Sequence, residues 1–194
     1  ALTPWFNSRL GLSDAVSQLD FGPFTVTYPP LDLPLPTEFL AVSFYARATW
    51  SLDEERREWV YALLEGLQKI VPVVALESGI HADEHLPFPL PPGVLSTAKW
   101  CTPQNNLAVQ AAVLAKSKAF VGTYGGTMQL AVRMKKPAVG FYDRFAGTAY
   151  AHKALTEWLA TEQQSPVLIG RPDDAKYVQE VMQVGYIPPP TTRG

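Results

Sequence analysis

The chain has 194 residues, 47% hydrophobic and 18% charged, enough for one large or two small folded domains with a buried core. Its formal net charge of -2 comes from 16 basic and 18 acidic residues, so it lacks the basic excess of a nucleic-acid binder. Cys101 is the single cysteine, which excludes an intrachain disulfide and makes a reducing, cytoplasmic setting the expectation.

The opening "ALTPWFNSRLG" has neither a basic n-region nor an apolar h-region and does not read as a signal peptide. No run reaches the apolar length of a transmembrane helix. The first residue is not Met, so a processed chain or a domain cut from a longer one is expected. Residues 1–36 read as an amino-terminal segment and hinge, with a short strand at Phe24–Tyr28. Pro29 to Thr37 is proline-dense and reads as an extended connector, because each proline removes a donor and pushes its predecessor toward extended angles.

A regular pattern starts near residue 37 and runs to 185, with a tail at 186–194. "FLAVSFYA" (39–46) reads as one continuous apolar strand. Ser51 to Glu54 reads as a capping box, with the Ser51 hydroxyl taking the Glu54 amide. The helix behind it carries Trp59, Leu63, Leu67 and Ile70 on one stripe. Strands follow at 71–76 and 93–98. A helix capped by Asn105 or Asn106 runs to Lys116, with Leu107, Ala111 and Leu114 inward. Next come a strand at 118–122, a helix at 127–134, a strand at 137–143, a helix near 150–163, a strand at 166–170 and a helix near 173–184.

Strands that alternate with helices and are apolar on both faces indicate an α/β fold. The expected architecture is a doubly wound, mostly parallel six-stranded Rossmann-like sheet with helices on both faces. Ligands of such sheets bind at the carboxyl ends of the strands, near the switch in strand order. The loops to watch are therefore 46–51, 77–92, 98–105, 122–127 and 143–149.

The turn "GTYGGT" (122–127) places Thr123, Gly125, Gly126 and Thr127 between a strand and a helix. A helix amino end offers free N–H groups and a positive dipole end, and small residues let an anion approach. The spacing matches neither GxGxxG nor GxxxxGK[ST]. The turn alone fits either an anion site or a plain strand-to-helix turn. Arg47 and Lys99 each follow a predicted strand and would share that rim; either is equally readable as a solvated surface charge.

"HADEH" (81–85) matches the H-x-x-E-H zinc pattern in letters. That pattern needs a helix, and Gly79 before it with prolines after it deny one, so no metal site is expected. Cys101 has no sequence-adjacent His and reads as an inert thiol. Trp100 reads either as packing or as a platform for a flat ligand.

Taken with "KKPAVGFYD" behind the turn, "VTYPPLDLP" (25–34) and "FLAVSFYARATW", the chain resembles the carboxyl-terminal, donor-binding domain of GT-B glycosyltransferases over roughly residues 22–185. The resemblance implies transfer of a sugar from a nucleotide-diphosphate sugar, with no cofactor. It implies Arg47, Thr123, Gly125, Gly126 and Thr127 at the donor phosphates, and Lys99, Trp100, Thr102 and Gln129 at the nucleotide or sugar. The paired glutamates of many retaining members are absent from 122–135, which implies an inverting, metal-independent reaction. GT-B enzymes close their site with an amino-terminal acceptor domain, so such a domain or a partner chain is expected. The alternatives are a sugar-nucleotide epimerase-like enzyme, drawing on Glu77, His81 and Asp83, and a non-catalytic nucleotide-binding or assembly module.

Overall fold

The computed structural model describes residues 32–46, 50–51, 53–80, 86–144 and 149–172. The expected strand at Phe24–Tyr28, the helix near 173–184 and the tail lie outside these residues.

Six strands build the main sheet: β1 (Leu40–Ser43), β3 (Val73–Ala75), β5 (Leu95–Ser96), β6 (Ala119–Thr123), β7 (Ala138–Phe141) and β8 (Val167–Gly170). Their order is β5-β3-β1-β6-β7-β8, and every neighbouring pair is parallel. Counted by appearance in the chain, that order is third, second, first, fourth, fifth, sixth. It is the doubly wound Rossmann-like order, and its reversal falls between β1 and β6. Among the described residues four α-helices accompany the sheet: α1 (Glu54–Gln68), α2 (Asn106–Lys116), α3 (Gly126–Arg133) and α4 (Ala149–Gln163).

Both faces of the sheet are buried, and alternation along the strands divides the core in two. Leu40, Val42, Val121 and Phe141 face α1 through Val60, Leu63, Leu64 and Leu67. Phe39, Ala41, Val74 and Phe120 face Val109 and Val113 of α2, Met128 and Val132 of α3 and Leu159 of α4. Burial of each large side chain of this kind contributes about 1.5–3 kcal/mol. At the reversal the strands approach closely: a Cβ on Gly122 would fall 2.2 Å from the Ser43 carbonyl oxygen. Only glycine fits that contact.

"FLAVSFYA" is not one strand. It breaks at Phe44, and Tyr45–Ala46 (β2) leaves the sheet to pair antiparallel with Leu86–Pro87 (β4). The break lets Phe44 join an aromatic group at the end of the sheet. There Trp59 meets Phe141 at 4.9 Å and Trp50 at 5.6 Å between ring centroids. The Trp50 indole N–H is buried in this group and has no hydrogen-bond partner among the described residues.

The Ser51 capping box is also corrected. Asp53 is the N-cap of α1, and its carboxylate accepts the Arg56 amide at 2.8 Å. Ser51 instead donates its hydroxyl to Asp53 at 2.6 Å. That bond first, and the Arg56 amide second, hold the Asp53 carboxyl below its usual value. Ile70 lies past the end of α1 and is 59% exposed, and Leu107 is 70% exposed in the first turn of α2.

Candidate functional site

A cavity of about 390 Å³ opens at the carboxyl ends of β1, β3 and β5, beside the reversal of strand order. Ser43 and Tyr45 line it from the β1 side, and Glu77, Ser78 and Gly79 from the loop after β3. Ala98 closes it behind β5, and Asn106 and Gln110 of α2 form a further wall. Gly126 and Thr127, the first two residues of α3, complete it.

Among the described residues no side chain caps the start of α3; its N-cap is Gly125. Its first N–H groups are therefore left for water or a ligand, at the positive end of the helix dipole. Gly125 is extended, with φ 170°, so its conformation does not demand glycine. Space does: a Cβ there would stand 2.0 Å from the Tyr45 hydroxyl. Around Gly126 there is open space within 4 Å, and Thr127 is half-buried at the cavity wall.

Two residues expected at the donor site sit elsewhere: Thr123, expected at the phosphates, and Gln129, expected at the nucleotide or sugar. Thr123 is fully buried, and its hydroxyl accepts the Tyr45 amide at 3.1 Å and donates to the Tyr45 carbonyl at 3.2 Å. It stitches β6 to β2 and has no donor left for an anion. Gln129 turns toward α4, where its amide donates to the Thr156 hydroxyl at 3.2 Å. Tyr124 joins the same contact through a 3.3 Å hydrogen bond to Thr156, and burial pushes its phenol up despite the bonds to Thr156 and Gln129. The cluster packs α3 against α4.

Of the segment expected at the base and ribose, Ala98 reaches the cavity wall; Lys99, Trp100 and Thr102 do not line it. Residues 98–100 form a single 3₁₀ turn. Lys99 is exposed and places its ammonium 4.9 Å from the centre of the Trp100 ring. Thr102 and Asn105 cap one another at the start of α2: the Thr102 amide donates to Asn105 Oδ1 at 2.6 Å, and the Asn105 amide to Thr102 Oγ1 at 3.3 Å. Arg47, and His81, Asp83 and His85, lie outside the described residues. Burial pushes the Cys101 thiol up from its ordinary value of 9.0, which suits an inert thiol.

The loop after β3 is pinned by Thr97, which is fully buried. Its hydroxyl accepts the Glu77 amide at 3.0 Å and donates to the Glu77 carbonyl at 2.7 Å. Ser43, Tyr45 and Gln110 were not singled out, and Asn106 was named only as a possible helix cap. Their signal was position alone: Ser43 ends β1, Tyr45 lies just past it, and Asn106 and Gln110 lie in the first turns of α2.

The chain matches no protein-family model and no curated protein sequence. No helix among the described residues is long and apolar enough to cross a membrane.

Proposed function

We propose that this chain is the donor-binding half of a GT-B-type glycosyltransferase, holding a nucleotide-diphosphate sugar. One observation carries the reading. The cavity at the reversal of a doubly wound sheet has the uncapped amino end of α3 as a wall. Such ends favour phosphate through free amides and dipole together, and ligands of this sheet class collect at the reversal.

The reaction proposed is inverting and metal-independent. A base takes the proton of an acceptor hydroxyl, the oxygen attacks the anomeric carbon, and the bond to the diphosphate breaks. Negative charge builds on the leaving diphosphate. The amides of Gly126 and Thr127 and the Thr127 hydroxyl are proposed to stabilise that charge; both residues line the cavity. Arg47 is proposed to approach the same diphosphate. Ala98, the one residue of residues 98–102 at the cavity wall, is proposed to border the nucleoside. The base and the acceptor site belong to an amino-terminal domain or partner chain.

Calorimetric titration with UDP, GDP, ADP, CDP and dTDP tests the reading. One of them should bind, and Thr127→Ala should weaken it by about 1–3 kcal/mol, the worth of a bond to a charged group. Absence of binding by every nucleotide at millimolar concentration contradicts the proposal.

A further inference from the structure

All strands of the main sheet run one way, so the turns that enter β3, β1, β6 and β7 gather at the end opposite the cavity. That end is basic. Residues 116–118 and 133–136 hold five basic residues and no acidic one, in a chain whose net charge is -2. Lys116 and Arg133 close α2 and α3, a place where a cation suits the helix dipole. Lys118 and Lys135 lie beyond the helices, and Lys69 is the C-cap residue of α1; all three are exposed.

Lys135 holds its place against a conformational preference. The Lys135 amide donates to the Val132 carbonyl and the Lys136 amide to the Ala131 carbonyl, each at 2.9 Å. This closing turn of α3 puts Lys135 in the left-handed region, with φ 58°, where glycine is the ordinary occupant. Neither Lys135 nor Lys69 has an acidic partner among the described residues. Lys118 pairs with Glu38 at 2.7 Å, with both side chains open to solvent, and such a pair contributes little. Lys136 is half-buried and donates to the Ser117 carbonyl at 2.9 Å. Burial first, and the Lys118 charge second, hold its ammonium below the usual lysine value. Positive charge is crowded at this end rather than neutralised.

Beside Lys69 stands Ile70, 59% exposed. A soluble anion would gain nothing from that side chain. A bilayer surface uses both kinds of residue, since ammonium groups are drawn to its phosphates and an aliphatic chain to the acyl boundary.

We infer that this end of the sheet, through Lys69, Ile70, Lys118 and Lys135, docks on an anionic lipid bilayer. Docking there leaves the cavity at the far end open to soluble ligands. The contact lies in the surface plane and needs no spanning helix. It does not rest on the nucleotide reading of the cavity.

The test is sedimentation of the whole chain with phosphatidylcholine vesicles, with and without about a third of phosphatidylglycerol. The anionic vesicles should carry the chain down and the neutral ones should not. Salt at about 1 M, where charges act over about 3 Å, should release it. Lys135→Gly should weaken the binding about fivefold, the weight of one lysine at an anionic surface. Its thermal unfolding should show no loss of stability, because glycine suits φ 58°. Lys69→Gln should act alike, and the two changes together should cost about 25-fold. Ile70→Ser should weaken the binding without altering its response to salt. Equal recovery on neutral and anionic vesicles overturns the inference. So does anionic-vesicle binding that the double variant keeps in full. Capture by polyphosphate but not by vesicles assigns this end to a soluble polyanion and also overturns it.

Discussion

The Thr123 hydroxyl bridges the two backbone groups of Tyr45, 3.1 Å from its nitrogen and 3.2 Å from its carbonyl oxygen. Tyr45 stands where the chain leaves the sheet, so the bridge fixes the mouth of the cavity. Thr123→Val keeps the shape and removes both bonds to the Tyr45 backbone. The expected loss is about 1–3 kcal/mol in urea unfolding. Thr123→Ser should retain most of the stability. A silent valine variant would show that water replaces the hydroxyl.

Gly125 and Tyr45 form a steric pair. Gly125→Ala places a methyl 2.0 Å from the Tyr45 hydroxyl, and overpacking of this kind costs about 1–3 kcal/mol. The backbone at Gly125 is extended, so the whole cost lies in that contact. Adding Tyr45→Phe removes the clashing oxygen and leaves the next ring atom at 3.3 Å. The double variant should recover part of the loss. Strict additivity of the two changes in thermal unfolding would contradict the pairing.

How much of this was legible beforehand follows from particular residues. Apolar runs marked β3, β6, β7 and β8 because strands buried on both faces carry no alternation to confuse. "FLAVSFYA" was equally apolar, yet hydropathy does not say which strand a residue pairs with. Tyr45 and Ala46 changed partners unseen. Leu107 had helical spacing with Ala111 and Leu114, but the sheet covers the phase set by Val109 and Val113. The glycine turn was visible as a candidate site. The roles of Thr123 and Gln129 were not, since only the placement of β2 and α4 shows who takes their hydrogen bonds.

Asp53 caps α1 and carries a lowered pKa, first through the Ser51 hydroxyl. A carboxyl with a depressed folded value stabilises fully above its usual 3.8 and loses that contribution as pH falls through the lower value. Asp53→Asn should therefore be less stable than the wild type at neutral pH. The gap should close in acid, below the ordinary carboxylate range. Denaturant unfolding at stepped pH measures it; a gap that widens in acid contradicts the assignment.

Arg56 ties α1 to the end of β7 through Asp143, with Nε 2.6 Å from Oδ1 and both side chains mostly buried. Asp143 Oδ2 also accepts the Ser51 amide at 3.0 Å and shares the single Ser51 hydroxyl hydrogen with Asp53, at 3.0 Å against 2.6 Å. Asp143→Ala should cost about 1–3 kcal/mol, as for a lost bond between charged groups. An exposed ion pair would cost less than 1 kcal/mol, so the size of the loss distinguishes the two.

Cys101 should behave as a slow thiol. Burial raises its pKa above 9.0, and the thiolate is the reacting form. Alkylation by iodoacetamide should be slower than for a free thiol at pH 8 and should climb only above pH 9. A midpoint below the ordinary thiol value would mean that a cation reaches the sulfur.

Placement of a diphosphate at the amino end of α3 is tested most directly by amide resonances. The 15N-labelled chain is titrated with the nucleoside diphosphate that binds best, and Gly126 and Thr127 are followed. Their amides should move downfield together and saturate with the calorimetric affinity, as N–H groups that gain a charged acceptor do. Shifts that spare Gly126 and Thr127, or that centre on the groove beside Ser165 and Val167 at the far end of the sheet, would contradict the account.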